Sequence, residues 1–91
     1  MSASPYTLPE IQAALQLRFS QVSRLEVLDE SAAHAGHTGN PAGDALSHIR
    51  VIIRSAAFAP LNKVAQHRAV HSALAPFYAL GLHAVVLDTA A

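Results

Sequence analysis

Six histidines and no cysteine make imidazole the main candidate for metal chemistry in this sequence. His34 and His37 lie in the segment HAGHTGNP, whose glycines and proline oppose helix and strand and indicate a loop. His67 and His71 are four residues apart, which places them on one face of a helix. A loop histidine can be an idle solvated side chain, a metal ligand or a phosphate contact, and these alternatives are open at this point.

The absence of cysteine excludes disulfides, thiolate catalysis and cysteine-based metal sites. Any metal must therefore use His, Asp or Glu, or ligands borrowed from a partner. The pair His67 and His71 could bind zinc. However, Arg68 stands where a zinc hydrolase has its glutamate, so an autonomous zinc site is not favoured. For His48, His71 and His83 we favour half-buried side chains that are hydrogen-bonded to the backbone.

No enzyme is predicted from the remaining motifs. There is no legible Ser/His/Asp arrangement, phosphate-binding loop or dinucleotide fingerprint. Asp29 and Glu30 are adjacent, so in a strand they point to opposite faces and make a poor acid/base pair. The residues 36–39, GHTG, match the GxxG clamp of KH domains, but they lie between two predicted strands and lack basic neighbours. We interpret them as loop composition.

The formal net charge is zero, which argues against a strongly DNA-binding protein. The charges are nevertheless unevenly distributed, because the segment 45–87 contains no acidic residue. This predicts a modest basic face for nucleic-acid or partner contact, with an ordinary solvated surface as the alternative. The four cations concerned are Arg50, Arg54, Lys63 and Arg68.

The composition predicts a single domain over residues 1–91. With 52% hydrophobic and 13% charged residues, the chain is of globular type. Its apolar runs are far shorter than the ~20 residues needed to span a bilayer. The first ten residues lack the basic region and apolar stretch of a signal peptide. A cytoplasmic location without membrane association is therefore expected.

The first half of the chain predicts a helix followed by two strands. Residues 7–10, TLPE, form a capping box ahead of a helix over about 8–20, whose apolar residues recur at spacings of three and four. The segments 23–30 and 48–55 alternate between apolar and polar residues, as strands do. Antiparallel pairing of these strands leaves residues 31–47 as a mobile loop, and loops of this length are often functional.

The second half predicts a helix over about 61–75 and a third strand over 83–88. The apolar stripe of the helix projects back to His67 and Lys63, so we expect His67 near the edge of the core. A strand–helix–strand crossover within one sheet is parallel and right-handed. The order is α-β-β-α-β, an α+β fold with both helices on one face of a three-stranded mixed sheet.

The chain resembles the BolA family over nearly its whole length. The resemblance is carried by LEVLDES (25–31), His34, SHIRVIIRSAAF (47–58), QHRAVHSAL (66–74) and GLHAV (81–85). It implies the BolA fold, which is similar to a class II KH fold without its GxxG clamp. Two positions depart from the family pattern. Pro60 stands where glycine is usual, and Gln66 stands where arginine is frequent, which removes a positive charge and weakens the nucleic-acid interpretation.

The resemblance implies a non-enzymatic partner of a monothiol glutaredoxin that shares a [2Fe–2S] cluster with it. The glutaredoxin supplies a cysteine and a glutathione thiolate. This chain supplies His67, from the His-Arg pair, and a loop residue, which is His34 with His37 as the alternative. Histidine ligation raises the reduction potential of such clusters. Imidazole binds only when neutral, so acid should release the cluster.

Two other interpretations compete with the cluster partner. The first is a DNA-binding transcriptional regulator in stress response or cell morphology, for which Arg50, Arg54 and Arg68 matter more than the histidines. Four phosphate contacts would give a salt slope of about −3.6. The second is an adaptor that binds glutaredoxin without a cluster. The sequence leaves open cluster delivery, iron sensing or transcription control, and a monomer or weak homodimer.

Overall fold

The computed structural model describes residues 5–30 and 47–91. The elements in chain order are α1 (Leu8–Arg18), β1 (Val22–Asp29), β2 (His48–Ser55), a short 3₁₀ turn (Ala56–Phe58), α2 (Lys63–Tyr78) and β3 (Ala84–Ala90). The predicted order and the α+β class are confirmed. His34, His37, the GHTG motif and all but the last residue of the predicted loop lie outside the described residues.

Helix α1 begins at the predicted capping box. The backbone nitrogen of Glu10 donates to the Thr7 hydroxyl over 3.3 Å, and the backbone nitrogen of Thr7 donates to the Glu10 carboxylate over 2.8 Å. The helix ends at Arg18 rather than at residue 20, because Phe19 adopts an extended backbone conformation. This turns the Phe19 ring into the core, where it lies 4.9 Å from the Phe58 ring, centroid to centroid.

The three strands form one sheet in the order β1-β2-β3. Strands β1 and β2 are antiparallel, with Leu28 opposite Arg50, and β2 and β3 are parallel, with His48 opposite Ala84. In the central strand every second side chain is buried beneath the helices, as the alternation predicted. These are Ile49, Val51, Ile53 and Ser55. Both helices therefore cover one face of the sheet, and neither α1 nor α2 lies on the other face, which we name the helix-free face.

In the second half of the chain, α2 and β3 each begin and end at residues other than those predicted. Helix α2 begins at Lys63 behind an Asn62 cap and passes through Pro76 to Tyr78, beyond the predicted end at residue 75. Proline disfavours a helix interior, but the packing of Phe77 against Tyr6, with ring centroids 5.5 Å apart, retains the last turn. Strand β3 begins one residue late and continues to Ala90 opposite Arg54.

The core lies between the helices and the covered face of the sheet. Its most deeply buried side chains are Ile11, Leu15, Ile49, Val51, Ile53, Phe58, Val70 and Leu74. Within the described ranges, neither helix has the length and apolar character needed to cross a bilayer.

Candidate functional site

His67, the expected helix ligand, is half-buried in the first turns of α2. Its neighbour Gln66 is only 7% exposed and fixes the position of this turn. The Gln66 amide donates to the carbonyl oxygens of Leu61 and Phe58 over 2.9 and 3.3 Å, and its oxygen accepts from the Thr89 hydroxyl over 2.7 Å. His67, the next residue after Gln66, therefore lies near the last residues of β3. We name this end of the sheet the helix end and define it by Lys63, Gln66, His67 and Thr89.

Gln66 stands where the family pattern frequently has arginine, and the burial of its side chain changes the significance of this difference. Because the side chain points into the core, a charge at position 66 would not extend a surface patch. The sequence contained a signal for the burial of residue 66, but this signal was ambiguous. The apolar stripe of Val70 and Leu74 projects back equally well to residue 66 or residue 67, and the sequence interpretation followed His67 and Lys63.

Two of the four candidate cations are neutralised by carboxylates on the helix-free face of the sheet. Arg50 Nε lies 2.9 Å from the Glu30 carboxylate. The Arg54 guanidinium lies 3.0 Å from the Asp88 carboxylate and also donates to the carbonyl oxygens of Ile53 and Asp88. These contacts compete with any phosphate that approaches the two arginines.

The other two cations lie in the helical layer, on the opposite side of the sheet. Lys63 Nζ donates to the carbonyl oxygen of Thr89. Arg68 is exposed and makes no ion pair with any described residue. The predicted basic half of the sequence is thus divided between two faces of the molecule. This arrangement gives no support to a continuous nucleic-acid interface.

His48 and His83 form a pair at the other end of the sheet. Their ring centroids are 4.6 Å apart with an interplanar angle of 77°, an edge-to-face contact. Ser47 Oγ lies 2.9 Å from His48 Nδ1, and His83 is exposed to solvent. We name this region the loop end and define it by Glu30, Ser47, His48 and His83.

The loop end is where the chain leaves the sheet after β1 and returns to it before β2. The backbone nitrogen of Glu30 donates to the His48 carbonyl oxygen over 2.9 Å. The Ser47 carbonyl oxygen accepts from the backbone nitrogens of His83 and Ala84 over 3.2 and 3.0 Å. Ser47, the last residue of the predicted loop, is buried rather than part of a solvated segment. His83 therefore lies against Ser47, the residue through which the segment that contains His34 and His37 continues into β2.

Sequence interpretation underrated this pair. It favoured half-buried structural roles for both residues, yet only His48 is partly buried. The signal that could have found the pair was the predicted parallel pairing of two strands, one beginning at His48 and the other at His83. Parallel strands in register bring their first residues together.

His71 is also more exposed than expected, and its partner is a side chain. Its Nδ1 atom lies 2.5 Å from the Tyr78 hydroxyl oxygen, two turns further along α2. Burial raises the pKa of the Tyr78 hydroxyl. The contact with Tyr78 occupies one nitrogen of His71, so the structure adds nothing to the zinc alternative for His67 and His71.

Within the described residues, no three His, Asp or Glu side chains are close enough to hold a metal ion by themselves. The loop end nevertheless offers two adjacent imidazoles, which are suitable ligands for iron when neutral. This donor set fits a centre that another molecule completes. It does not fit an autonomous site built from the described residues.

The chain belongs to the BolA-like protein family, whose family model matches residues 15–91. It is 47% identical to the "Uncharacterized protein in cobS 5'region" of a Sinorhizobium species over 68 residues, 75% of this chain and 73% of that protein. It is 30% identical to BolA-like protein 1 of Bos taurus over 87 residues, 96% of this chain but 63% of the bovine protein. The chain thus spans less than two thirds of that relative.

Solved structures agree with the family assignment. BolA1 from Arabidopsis thaliana superposes with a TM-score of 0.78 at 31% identity, covering 96% of this chain and 93% of that one. The BolA domain of SufE1 from Arabidopsis thaliana superposes with a TM-score of 0.72 at 32% identity, covering 87% and 84%. These likenesses confirm the BolA fold for this chain.

Proposed function

We propose that this protein is a non-enzymatic partner of a monothiol glutaredoxin and shares a [2Fe–2S] cluster with it in iron–sulfur trafficking or iron and redox regulation. One observation carries the proposal: adjacent imidazoles at the loop end, in a chain without cysteine. Such a chain can take part in cluster binding only by adding imidazoles to thiolates that a partner provides. The glutaredoxin cysteine and glutathione would provide those thiolates. The proposal includes a cytoplasmic location.

The geometry favours His83 over His67 as the histidine that acts with the loop ligand. His48 pairs with Ala84 and Ile53 pairs with Thr89. Five residues of strand thus separate the two ends, which corresponds to about 16 Å along the sheet. Four residues separate Glu30 from His34, so their Cα atoms can be at most about 14 Å apart. A ligand at His34 is therefore within reach of His83, whereas the helix end, where His67 lies, is further from Glu30 than even the fully extended chain to His34 can span.

His48 supports His83 in this proposal. The edge of one imidazole against the face of the other restricts the orientation of the exposed His83 ring. The contact of Ser47 Oγ with His48 Nδ1 in turn restricts the His48 ring. Such outer contacts orient metal-binding histidines and tune their affinity. When bound, the cluster supplies one-electron redox chemistry and transferable iron and sulfide.

The test is anaerobic reconstitution with a monothiol glutaredoxin, glutathione, iron and sulfide, followed by visible absorption and circular dichroism. We expect a spectrum for the mixture that differs from that of the glutaredoxin homodimer and that is lost in His83→Ala. His71→Ala is the matched control, because it removes another exposed histidine and should keep the spectrum.

Parallel measurements on His67→Ala, His34→Ala and His37→Ala assign the remaining ligands. Loss in His67→Ala with retention in His83→Ala would restore the ligand that the family resemblance implies. Retention in His34→Ala and loss in His37→Ala would assign the loop position to His37. A glutaredoxin spectrum that is unchanged on mixing would refute the shared cluster. Binding of apo-glutaredoxin by the variant without His34, His67 and His83, with full function, would favour the adaptor.

A further inference from the structure

A groove of about 490 Å³ lies on the helical side of the molecule, away from the loop end. Its walls come from the end of α1, the 3₁₀ turn and the first half of α2. Six of the eight described residues that line the groove are apolar, and the other two are Arg18 and Ser20. The lining includes Leu17, Phe19, Phe58, Leu61 and Ala69.

The floor and wall of this groove are unlike an ordinary solvated surface. The Phe19 and Phe58 rings are buried and contact each other in a tilted arrangement, with their centroids 4.9 Å apart. Leu17 stands beside them with 89% of its surface exposed, more than any other exposed large apolar side chain in the described part of the chain. Burial of a leucine side chain of this size contributes about 1.5–3 kcal/mol, so covering it would favour association.

Among the described residues that line the groove, Arg18 is the one that carries a charge. The Arg18 guanidinium carbon lies 5.3 Å from the Phe19 ring centroid, and Arg18 makes no ion pair with a described residue. Arg68 precedes the lining residue Ala69 and is also unpaired within the described ranges. Helix α2 contains no acidic residue, and Glu10, the acid of α1, is held in the capping box at the far end of that helix.

We propose that this groove binds an acidic amphipathic segment of a partner protein. One or two large apolar side chains of the segment would cover Leu17, which is the exposed apolar side chain of the groove. Its carboxylates would pair with Arg18 and Arg68 in charge-assisted hydrogen bonds. The apolar lining favours a protein segment over nucleic acid, whose phosphates gain nothing from contact with leucine and phenylalanine.

This proposal is independent of the shared cluster. The groove adjoins the end of α1 and the turn after β2, whereas the loop end lies where β2 begins. A protein bound at the loop end would leave the groove accessible. The chain could then hold a cluster-bearing partner and an acidic segment of a second protein at the same time.

The test is a titration of the isotope-labelled full chain, followed by amide chemical shifts. The probe is a synthetic amphipathic peptide with Leu and Phe on one face and Glu on the other. Two matched peptides replace every Glu by Lys or every Leu and Phe by Ser. We expect the Glu peptide to shift the amides of Leu17, Phe19, Ala57 and Ala69, and each matched peptide to bind at least about tenfold more weakly, a difference of about 1.4 kcal/mol.

Variants of the protein test the same surface without affecting the core. Arg18→Glu and Leu17→Asp should each weaken the Glu peptide about tenfold or more. Gln16→Glu is the matched control, because Gln16 is an exposed neighbour in α1 that does not line the groove. It should leave the affinity within about twofold, since an exposed charge outside the contact contributes little.

Three results would overturn the proposal. They are the absence of shifts at the groove at millimolar peptide, equal binding of the Lys peptide, and displacement of the Glu peptide by a DNA duplex that shifts the same amides. Each readout is independent of the cluster. Failure of the glutaredoxin experiment would therefore not affect the result of the peptide titration. Failure of the peptide titration would likewise not affect the glutaredoxin experiment.

Discussion

The loop end and the helix end of the sheet both carry histidine, but they use their polar groups in opposite ways. At the helix end, Gln66 is buried and its amide is fully engaged with Phe58, Leu61 and Thr89. At the loop end, His83 is exposed, and among the described residues its Nδ1 makes a long contact of 3.4 Å with the Gly81 carbonyl oxygen. The helix end therefore uses its buried polar groups for stability, whereas the loop end leaves an imidazole exposed to solvent.

The largest effect should follow Gln66→Ala. This change removes three hydrogen bonds and leaves the buried Thr89 hydroxyl and the Leu61 carbonyl oxygen without the Gln66 amide, whereas the Phe58 carbonyl oxygen still accepts from the backbone nitrogen of Leu61. We therefore expect a loss of about 2–4 kcal/mol in the free energy of unfolding. Urea denaturation measures it. Gln16→Ala, at an exposed site on α1, is the control and should change stability by less than about 0.5 kcal/mol.

The loop end should behave differently in the same assay. His83→Ala exchanges an exposed side chain and should cost less than about 1 kcal/mol. A cost for His83→Ala as large as that for Gln66→Ala would contradict this distinction, because it would show that His83 also stabilises the fold.

A smaller difference is expected between two arginines on the helix-free face of the sheet. Arg54, towards the helix end, is 26% exposed and holds a carboxylate and two carbonyl oxygens. Arg50, towards the loop end, is 41% exposed and holds the Glu30 carboxylate. Arg54→Gln should therefore cost about 1 kcal/mol and Arg50→Gln about 0.5 kcal/mol or less.

Thermal melts at low and high salt measure this difference. Salt should reduce the cost of both substitutions, since it screens exposed ion pairs. Equal costs at the two positions would show that the extra carbonyl contacts of Arg54 contribute nothing to stability.

The smallest effect concerns pH and Tyr78, near the end of α2. Burial raises the pKa of this hydroxyl above its usual 10.0, so the unfolded chain loses the proton first as the pH rises. The unfolded state then binds fewer protons than the folded state, and stability falls as the pH rises above about 10.

Denaturation midpoints measured from neutral pH to about pH 11 test this prediction. Tyr78→Phe should lose less stability than the wild type between neutral pH and about pH 11. The difference in stability between the two proteins at neutral pH serves as the reference. An identical alkaline decline in both proteins would assign the effect to other groups. His71→Ala would separate the short contact between His71 and Tyr78 from the effect of burial.

Local patterns made much of the fold predictable. The capping box at Thr7 and Glu10 and the period-two alternation of residues 48–55 depend on neighbouring residues, and both were confirmed. The element bounds were less accurate where tertiary contacts prevailed. Phe19 left the helix to pack on Phe58, and α2 continued through Pro76 to keep Phe77 against Tyr6.

The candidate site was harder to predict, because its geometry depends on residues far apart in the chain. The ion pairs of Arg50 with Glu30 and of Arg54 with Asp88 join residues 20 and 34 positions apart. No local pattern assigns such partners, so the sequence indicated a basic face that the fold divides between two sides.

The amino-acid sequence defines the chemical inventory of this protein. It supplies imidazoles without thiolates, an acid-free segment over 45–87 and the periodicities of two helices and three strands. Which imidazoles lie in contact depends on the fold. Parallel pairing of β2 with β3 brings His83 against His48 and Ser47, whereas Thr89, packed on Gln66, holds His67 at the other end of the sheet. The physical reason is that strand register and core packing are properties of the whole chain.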